Sequence, residues 1–109
     1  MSGFDNSSFT VRTATATTDT LLKTDYVVIY TNTSAKTVTV PLISALTPGR
    51  VFTVVNTAAG TVTITPTSPN TINGATTFVT PAGTAAGAGR TTFVNDGSNW
   101  FTTQGTTTA

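Results

Sequence analysis

The sequence predicts an all-β domain, either an antiparallel β-sandwich or a small, jelly-roll-like barrel, built from about eight short strands. Threonine occupies 30 of the 109 positions, and its branched Cβ disfavours helix and suits a pleated strand. Apolar and polar residues alternate over several short runs, as in strands with one buried face. Between these runs stand turn-forming dipeptides: Pro48-Gly49, Asn73-Gly74 and Asp96-Gly97.

The first 16 residues predict a short extended arm that ends in an edge strand. The segment is polar apart from a few apolar residues, among them Phe4 and Phe9. Residues 9–15 alternate only weakly, which is typical of an edge strand. Two interpretations of the first residues stay open. They are a frayed terminus, or an arm that lies over a neighbouring subunit with Phe4 as its anchor.

The strongest strand patterns begin at Asp25. Residues 25–31 (DYVVIYT) and 50–56 (RVFTVVN) are apolar on both faces, which indicates central strands. Residues 37–42 (TVTVPL) and 61–65 (TVTIT) alternate cleanly. Because only a short turn separates each alternating run from the central strand before it, we predict two β-hairpins.

Three further strands complete the predicted domain. They are residues 75–80 (ATTFVT), 89–95 (GRTTFVN) and 99–103 (NWFTT). Asn73-Gly74 suits a two-residue type I′ turn, because both residues tolerate positive φ. We therefore predict a sandwich or barrel domain over residues 17–104 and a flexible tail over 105–109.

Charge is scarce: 8% of residues are charged, the net charge is +1, and histidine and cysteine are absent. An average soluble domain is roughly 25% charged. The four aspartates are isolated along the chain, so the sequence predicts no enzyme, no metal site and no cofactor. Five scattered cations are too few for nucleic-acid binding, and no apolar run is long enough to span a membrane.

Two Thr-X-Thr runs, at residues 37–39 and 61–65, resemble the flat threonine ladders of ice-binding proteins. A solenoid would repeat such runs at one short period, so that each rung stacks on the last. Here the spacing is uneven and turns interrupt it. We therefore predict ordinary solvent-facing strand threonines.

Four aromatic residues in the predicted strands are candidates for a subunit interface. Tyr26 and Tyr30 are expected on one face of their strand, either as a polar-tipped contact surface or at the rim of a barrel. Trp100 and Phe101 follow a tight turn near the C-terminus. They predict either a closing strand that covers the core or an anchor for a partner subunit.

The ordered set of strand sequences resembles a small β module that recurs in bacteriophage structural proteins, often at the C-terminus of tail fibres and other particle appendages. The segments that carry the resemblance are residues 25–30 (DYVVIY), 37–42 (TVTVPL), 48–56 (PGRVFTVVN), 61–66 (TVTITP) and 95–101 (NDGSNWF). It covers roughly residues 17–103. The resemblance implies a homotrimer.

Only about 20 residues precede this module, without the long shaft of a fibre, so the chain is most similar to a capsid decoration (cement) protein. That similarity implies contact with the major capsid protein or other virion proteins on the capsid exterior. The residues around Phe4 and Phe9 are the candidates for lattice contact, and Trp100 and Phe101 for the trimer or the core. We expect synthesis in the bacterial host cytoplasm, because the chain begins with no secretory signal.

Two other functions stay open from the sequence. The first is a fibre tip that binds a host receptor. The second is a bacterial surface or secreted β-domain without a phage role.

Overall fold

The computed structural model describes residues 10–84 and 89–105, with the side chains of 104 and 105 left out. Within these residues the chain forms nine strands and one short 3-10 turn at Ile43–Ala45. The strands are β1 (Thr10–Ala14), β2 (Thr18–Thr20), β3 (Asp25–Tyr30), β4 (Lys36–Val40), β5 (Val51–Asn56), β6 (Val62–Pro66), β7 (Phe78–Thr80), β8 (Arg90–Asn95) and β9 (Trp100–Gly105). No helix in the described part is long and apolar enough to cross a membrane.

The strands form two mixed sheets. One has five strands in the order β1-β3-β5-β8-β9, and the other has four in the order β2-β4-β6-β7. The first six strands alternate between the sheets and pair in parallel, so the chain winds through three successive coils. Strands β7, β8 and β9 then add antiparallel neighbours. The all-β prediction is confirmed, but the prediction of antiparallel sheets is wrong.

The two predicted hairpins are also wrong, because β3 and β4, like β5 and β6, lie in different sheets. The buried Lys36 holds the two crossing connections together. Its ammonium group donates to the carbonyl oxygens of Asn32, of Ser34 at 3.1 Å and of Ala59 at 3.2 Å. Gly60 has a φ of +81°, and a Cβ there would lie 2.6 Å from the Ser34 oxygen. Close approach of the connections therefore requires glycine.

Most predicted strand positions are confirmed. The Asn73-Gly74 turn is confirmed as well: both residues have positive φ, 53° and 82°, and Ile72 and Ala75 exchange two hydrogen bonds of 2.9 Å. Strand β1 lies at an edge of its sheet, where the weak alternation predicts an edge strand. Strand β9 reaches Gly105, inside the predicted tail. Strand β2 was not predicted.

One hydrophobic core draws on both sheets. Its buried members are Ala14, Leu21, Val28, Tyr30, Val38, Val40, Ile43, Phe52, Val54, Val62, Ile64, Ile72, Phe93 and Trp100. Three aromatic rings form the centre of one end. Phe52, Phe93 and Trp100 lie 5.3 to 5.8 Å apart between ring centroids, and Phe93 meets Trp100 edge to face. Such pairs add to the stabilisation from burial alone.

Candidate assembly interface

The outer side of the five-stranded sheet is largely apolar. Along β3, β5 and β8 the buried residues alternate with partly exposed ones that point away from the core. We call the resulting surface the apolar face. It consists of Val11, Val27, Ile29, Val51, Val55, Val94 and Phe101.

Strand register groups the side chains of the apolar face into two patches, on either side of Thr53 and Thr92. Val11 pairs with Val27 across β1 and β3. Ile29 pairs with Val55 across β3 and β5. At the far end Val51 pairs with Val94, which pairs in turn with Phe101. Apart from Thr53, Thr92 and the exposed Arg90 opposite Val55, the outward side chains of β3, β5 and β8 are apolar, which is unusual for a sheet surface facing water.

Two threonines that lie between the patches of this surface have paired hydroxyl groups. Thr53 and Thr92 lie opposite each other on β5 and β8, and their hydroxyl oxygens are 2.9 Å apart. A hydroxyl paired with another hydroxyl has less remaining capacity for water. The pair therefore costs less to cover than two free hydroxyls.

The residues at the edge of the apolar face are exposed, as is expected of residues at a protein–protein interface. Val11 is 64% exposed and Phe101 is 43% exposed. Tyr26, also 43% exposed, stands at the end of the face, beside a shallow groove of about 310 Å³. The groove is lined by Tyr26, Thr47, Pro48, Gly49, Arg50 and Val51.

Arg50 forms a rigid wall of this groove. Its guanidinium lies 4.2 Å from the centre of the Phe52 ring. It also donates to the carbonyl oxygens of Lys23 at 3.0 Å, of Val51 at 2.6 Å and of Asp25. Burial lowers the pKa of Arg50, and the charge of Asp25 opposes that shift. The groove therefore presents a fixed, mainly apolar surface that continues the apolar face.

The other candidate site is a charged cluster in the first coil. Arg12 Nη2 lies 2.8 Å from Asp19 Oδ2 and 2.9 Å from Asp25 Oδ2. The Tyr30 hydroxyl donates to Asp19 at 2.7 Å. Burial, followed by this bond to Asp19, raises the pKa of Tyr30. Hydrogen bonds to Asp25 and Asp19 raise the pKa of Arg12.

The register of the coils explains this cluster. Arg12 pairs with Val28, and Asp19 pairs with Val38, so both point inward where the next coil has valine. All four carboxylate oxygens accept hydrogen bonds. The cluster thus covers the apolar core beside the first coil with side chains that bond to one another. This geometry favours a structural role. Among the described residues no group of three or more metal-ligating side chains occurs.

The predicted interface residues separate into three groups. Phe4 and Phe9 lie outside the described residues. Tyr30 and Trp100 are fully buried and belong to the core of the chain. Tyr26 and Phe101 are exposed, at the groove and on the apolar face respectively.

The prediction that Tyr26 and Tyr30 share a face is wrong. A register shift between β1 and β3 places Thr10 opposite Asp25 but Val11 opposite Val27. Asp25 is therefore buried while Tyr26 is exposed, and alternation resumes at Val27. Such a bulge changes which side chains face the core.

The valines and the isoleucine of the apolar face were not singled out from the sequence. Their signal was present, since residues 25–31 and 50–56 are apolar on both faces. Comparison with known proteins adds no assignment: neither a scan of protein-family models nor a search of curated proteins finds a match.

Proposed function

We propose that the chain is a structural protein of a bacteriophage particle, a capsid decoration (cement) protein that works by assembling with other protein chains. The observation that carries this proposal is the apolar face, with Val27, Ile29 and Val55 at its centre. Exposed apolar patches in soluble proteins mark interaction sites. The low charge agrees with this function, because a net charge of +1 provides little repulsion between copies.

The proposed partner at the apolar face is a second copy of the chain, within a homotrimer. Covering apolar surface stabilises an assembly by about 25 cal/mol per Å². A typical specific interface buries about 800 Å² on each partner. Phe101 and Tyr26 at the rim supply the aromatic anchors that usually dominate such contacts. In a closed trimer each copy binds its two neighbours through two different surfaces, so the apolar face of one copy is covered by another surface of the next.

The location on a phage capsid rests on the resemblance of the ordered strand motifs to phage structural modules. The segment before β1 supplies the proposed contact with the capsid lattice, through Phe4 and Phe9. The proposal thus assigns the trimer contact and the lattice contact to different residues. They are open to separate tests.

Protein copy number tests the location. Quantitative mass spectrometry of purified particles of the virus that encodes the chain should find hundreds of copies per particle. A few dozen copies or fewer would favour a fibre tip that binds a host receptor. Absence of the chain from purified particles would contradict both virion functions.

Deletion of residues 1–9 tests the lattice contact. The variant should keep its trimeric mass and its unfolding transition, because strand β1 begins at Thr10. It should lose attachment to particles that have been stripped of the protein. The double substitution Phe4→Ala with Phe9→Ala is the matched variant of full length. Undiminished attachment of both variants would show that the segment is not the contact.

A further inference from the structure

The outer side of the four-stranded sheet carries a regular set of threonines, which we call the threonine array. It consists of Thr18 and Thr20 on β2, Thr37 and Thr39 on β4, and Thr63 and Thr65 on β6. Thr18, Thr37 and Thr63 lie side by side in one row. The other three lie side by side in a second row. The array therefore spans three parallel strands.

The threonines of these runs point outward from their strands, as predicted, and they also lie in register, which their spacing along the sequence did not indicate. Uneven spacing along the sequence argued against stacked rungs, but the connections between coils absorb the differences in length. Parallel pairing then sets Thr-X-Thr segments in register. Between the rows, Val38 and Ile64 point inward and are fully buried, so the core holds two of the three strands in place.

Thr18, Thr20 and Thr37 are exposed, and the other three threonines of the array are partly exposed. None of the six hydroxyl groups makes a hydrogen bond to another described residue. Other threonines of the same chain behave differently: Thr80 and Thr91 bond to each other at 2.7 Å, and Thr67 bonds to the Val40 carbonyl oxygen at 2.7 Å. What distinguishes the array from other threonines without such bonds is that its six members lie in register on neighbouring strands.

The array is also uncharged and has repeat distances set by the sheet. Asp19, between Thr18 and Thr20, turns inward to Arg12, and Lys36 is buried. Neighbouring strands lie about 4.8 Å apart, and alternate residues along a strand about 6.6 Å apart. The distance between strands is close to one repeat of hexagonal ice, and the distance along a strand is somewhat shorter than the other repeat. Each threonine adds a hydroxyl that can join a water lattice and a methyl group that water must surround.

We propose that the threonine array binds the surface of ice through an ordered layer of water. This activity goes beyond the structural function proposed above and does not depend on it. Because only six residues take part, the expected activity is slow uptake into growing ice and inhibition of recrystallisation, rather than complete arrest of crystal growth. Binding through a lattice of weak contacts requires the whole array, and the central strand β4 contacts both neighbours.

Partition into slowly grown ice tests the proposal on the full chain. The protein should be enriched in the ice fraction relative to an albumin in the same solution. The double variant Thr37→Lys with Thr39→Lys should reduce that enrichment about tenfold, equivalent to about 1.4 kcal/mol. Its matched control is Thr76→Lys with Thr77→Lys, two exposed threonines outside the array, which should partition like the original protein.

Two results of the partition experiment would contradict the proposal. Exclusion of the original protein from ice to the same extent as albumin would overturn the proposal. Equal enrichment of the array variant and its control would also overturn it. A second variant, Thr39→Val, keeps the side-chain shape and removes one hydroxyl, so it should fold normally and still lose part of the enrichment. Thermal unfolding of each variant verifies that the fold is intact.

Discussion

The two outer faces of this molecule are built on the same coils yet have opposite character. On β3 the outward residues are Val27 and Ile29, whereas on β4, the next strand along the chain, they are Thr37 and Thr39. Valine and threonine have nearly the same shape, so the faces differ mainly in their hydroxyl groups. Only the apolar face gains free energy when another chain covers it. On the proposed function, one side of the fold therefore faces protein and the other faces water.

The apolar face and the threonine array are supported by the same core, so a substitution that destabilises the core should have the largest effect on both. Arg12→Ala would leave Asp25 buried without its ion-pair partner, since the Asp25 side chain is fully inaccessible. We expect the free energy of unfolding to fall by about 3 kcal/mol. Urea denaturation measures this change, and Arg90→Ala on the exposed surface is the control. Equal stability of the two variants would show that the cluster does not close the core.

A charge placed on the apolar face should weaken the self-association that we propose for this face. Val27→Lys with Val94→Lys should weaken self-association by more than about 2 kcal/mol, because an interface core does not accommodate unpaired charges. The matched control is Thr37→Lys with Thr39→Lys on the other face. Sedimentation equilibrium measures both. If the control dissociates as readily as the apolar-face variant, the interface lies elsewhere.

An exchange of valine and threonine tests the difference between the two faces with a smaller change in side-chain shape. Val27→Thr with Val94→Thr keeps shape but adds two hydroxyls, and we expect self-association to weaken about tenfold. The converse exchange, Thr37→Val with Thr39→Val, should instead lower solubility by creating a second apolar patch. Light scattering against concentration distinguishes the two. Identical behaviour would mean that side-chain polarity does not decide which face associates.

The smallest expected effect is on pH dependence. Burial acts to raise the pKa of Asp19, but hydrogen bonds from Arg12 and Tyr30 outweigh it, so that pKa lies below its usual 3.8. The resulting stabilisation is present above pH 3.8 and is lost as pH falls through the lowered pKa. Thermal unfolding between roughly pH 5 and pH 2 should therefore fall less steeply for Asp19→Asn. Parallel curves would contradict this assignment.

Local patterns in the sequence predicted where strands occur, but not how they pair. Alternation and turn residues located eight of the nine strands, and Asn73-Gly74 determined its own turn type. Strand β2 escaped prediction because its single inward residue is Asp19, whose burial depends on Arg12 in another strand. Parallel pairing likewise depends on contacts between distant segments, which period and composition do not specify.

The candidate interface was predictable only in part. Two strands that are apolar on both faces indicate either parallel pairing or coverage from outside, and the sequence was interpreted only as central strands. Tyr26 and Phe101 were singled out as aromatic residues and are exposed. Tyr30 and Trp100 are buried instead. For Tyr30, the decisive feature is a bulge that depends on the neighbouring strand β1.

The molar mass of the full chain in solution, measured by sedimentation equilibrium over a wide range of concentration, tests the central claim most directly. The proposed homotrimer, in which further copies cover the apolar face, predicts a molar mass three times the 11.1 kDa of one chain. A single species of 11.1 kDa at every concentration would contradict it.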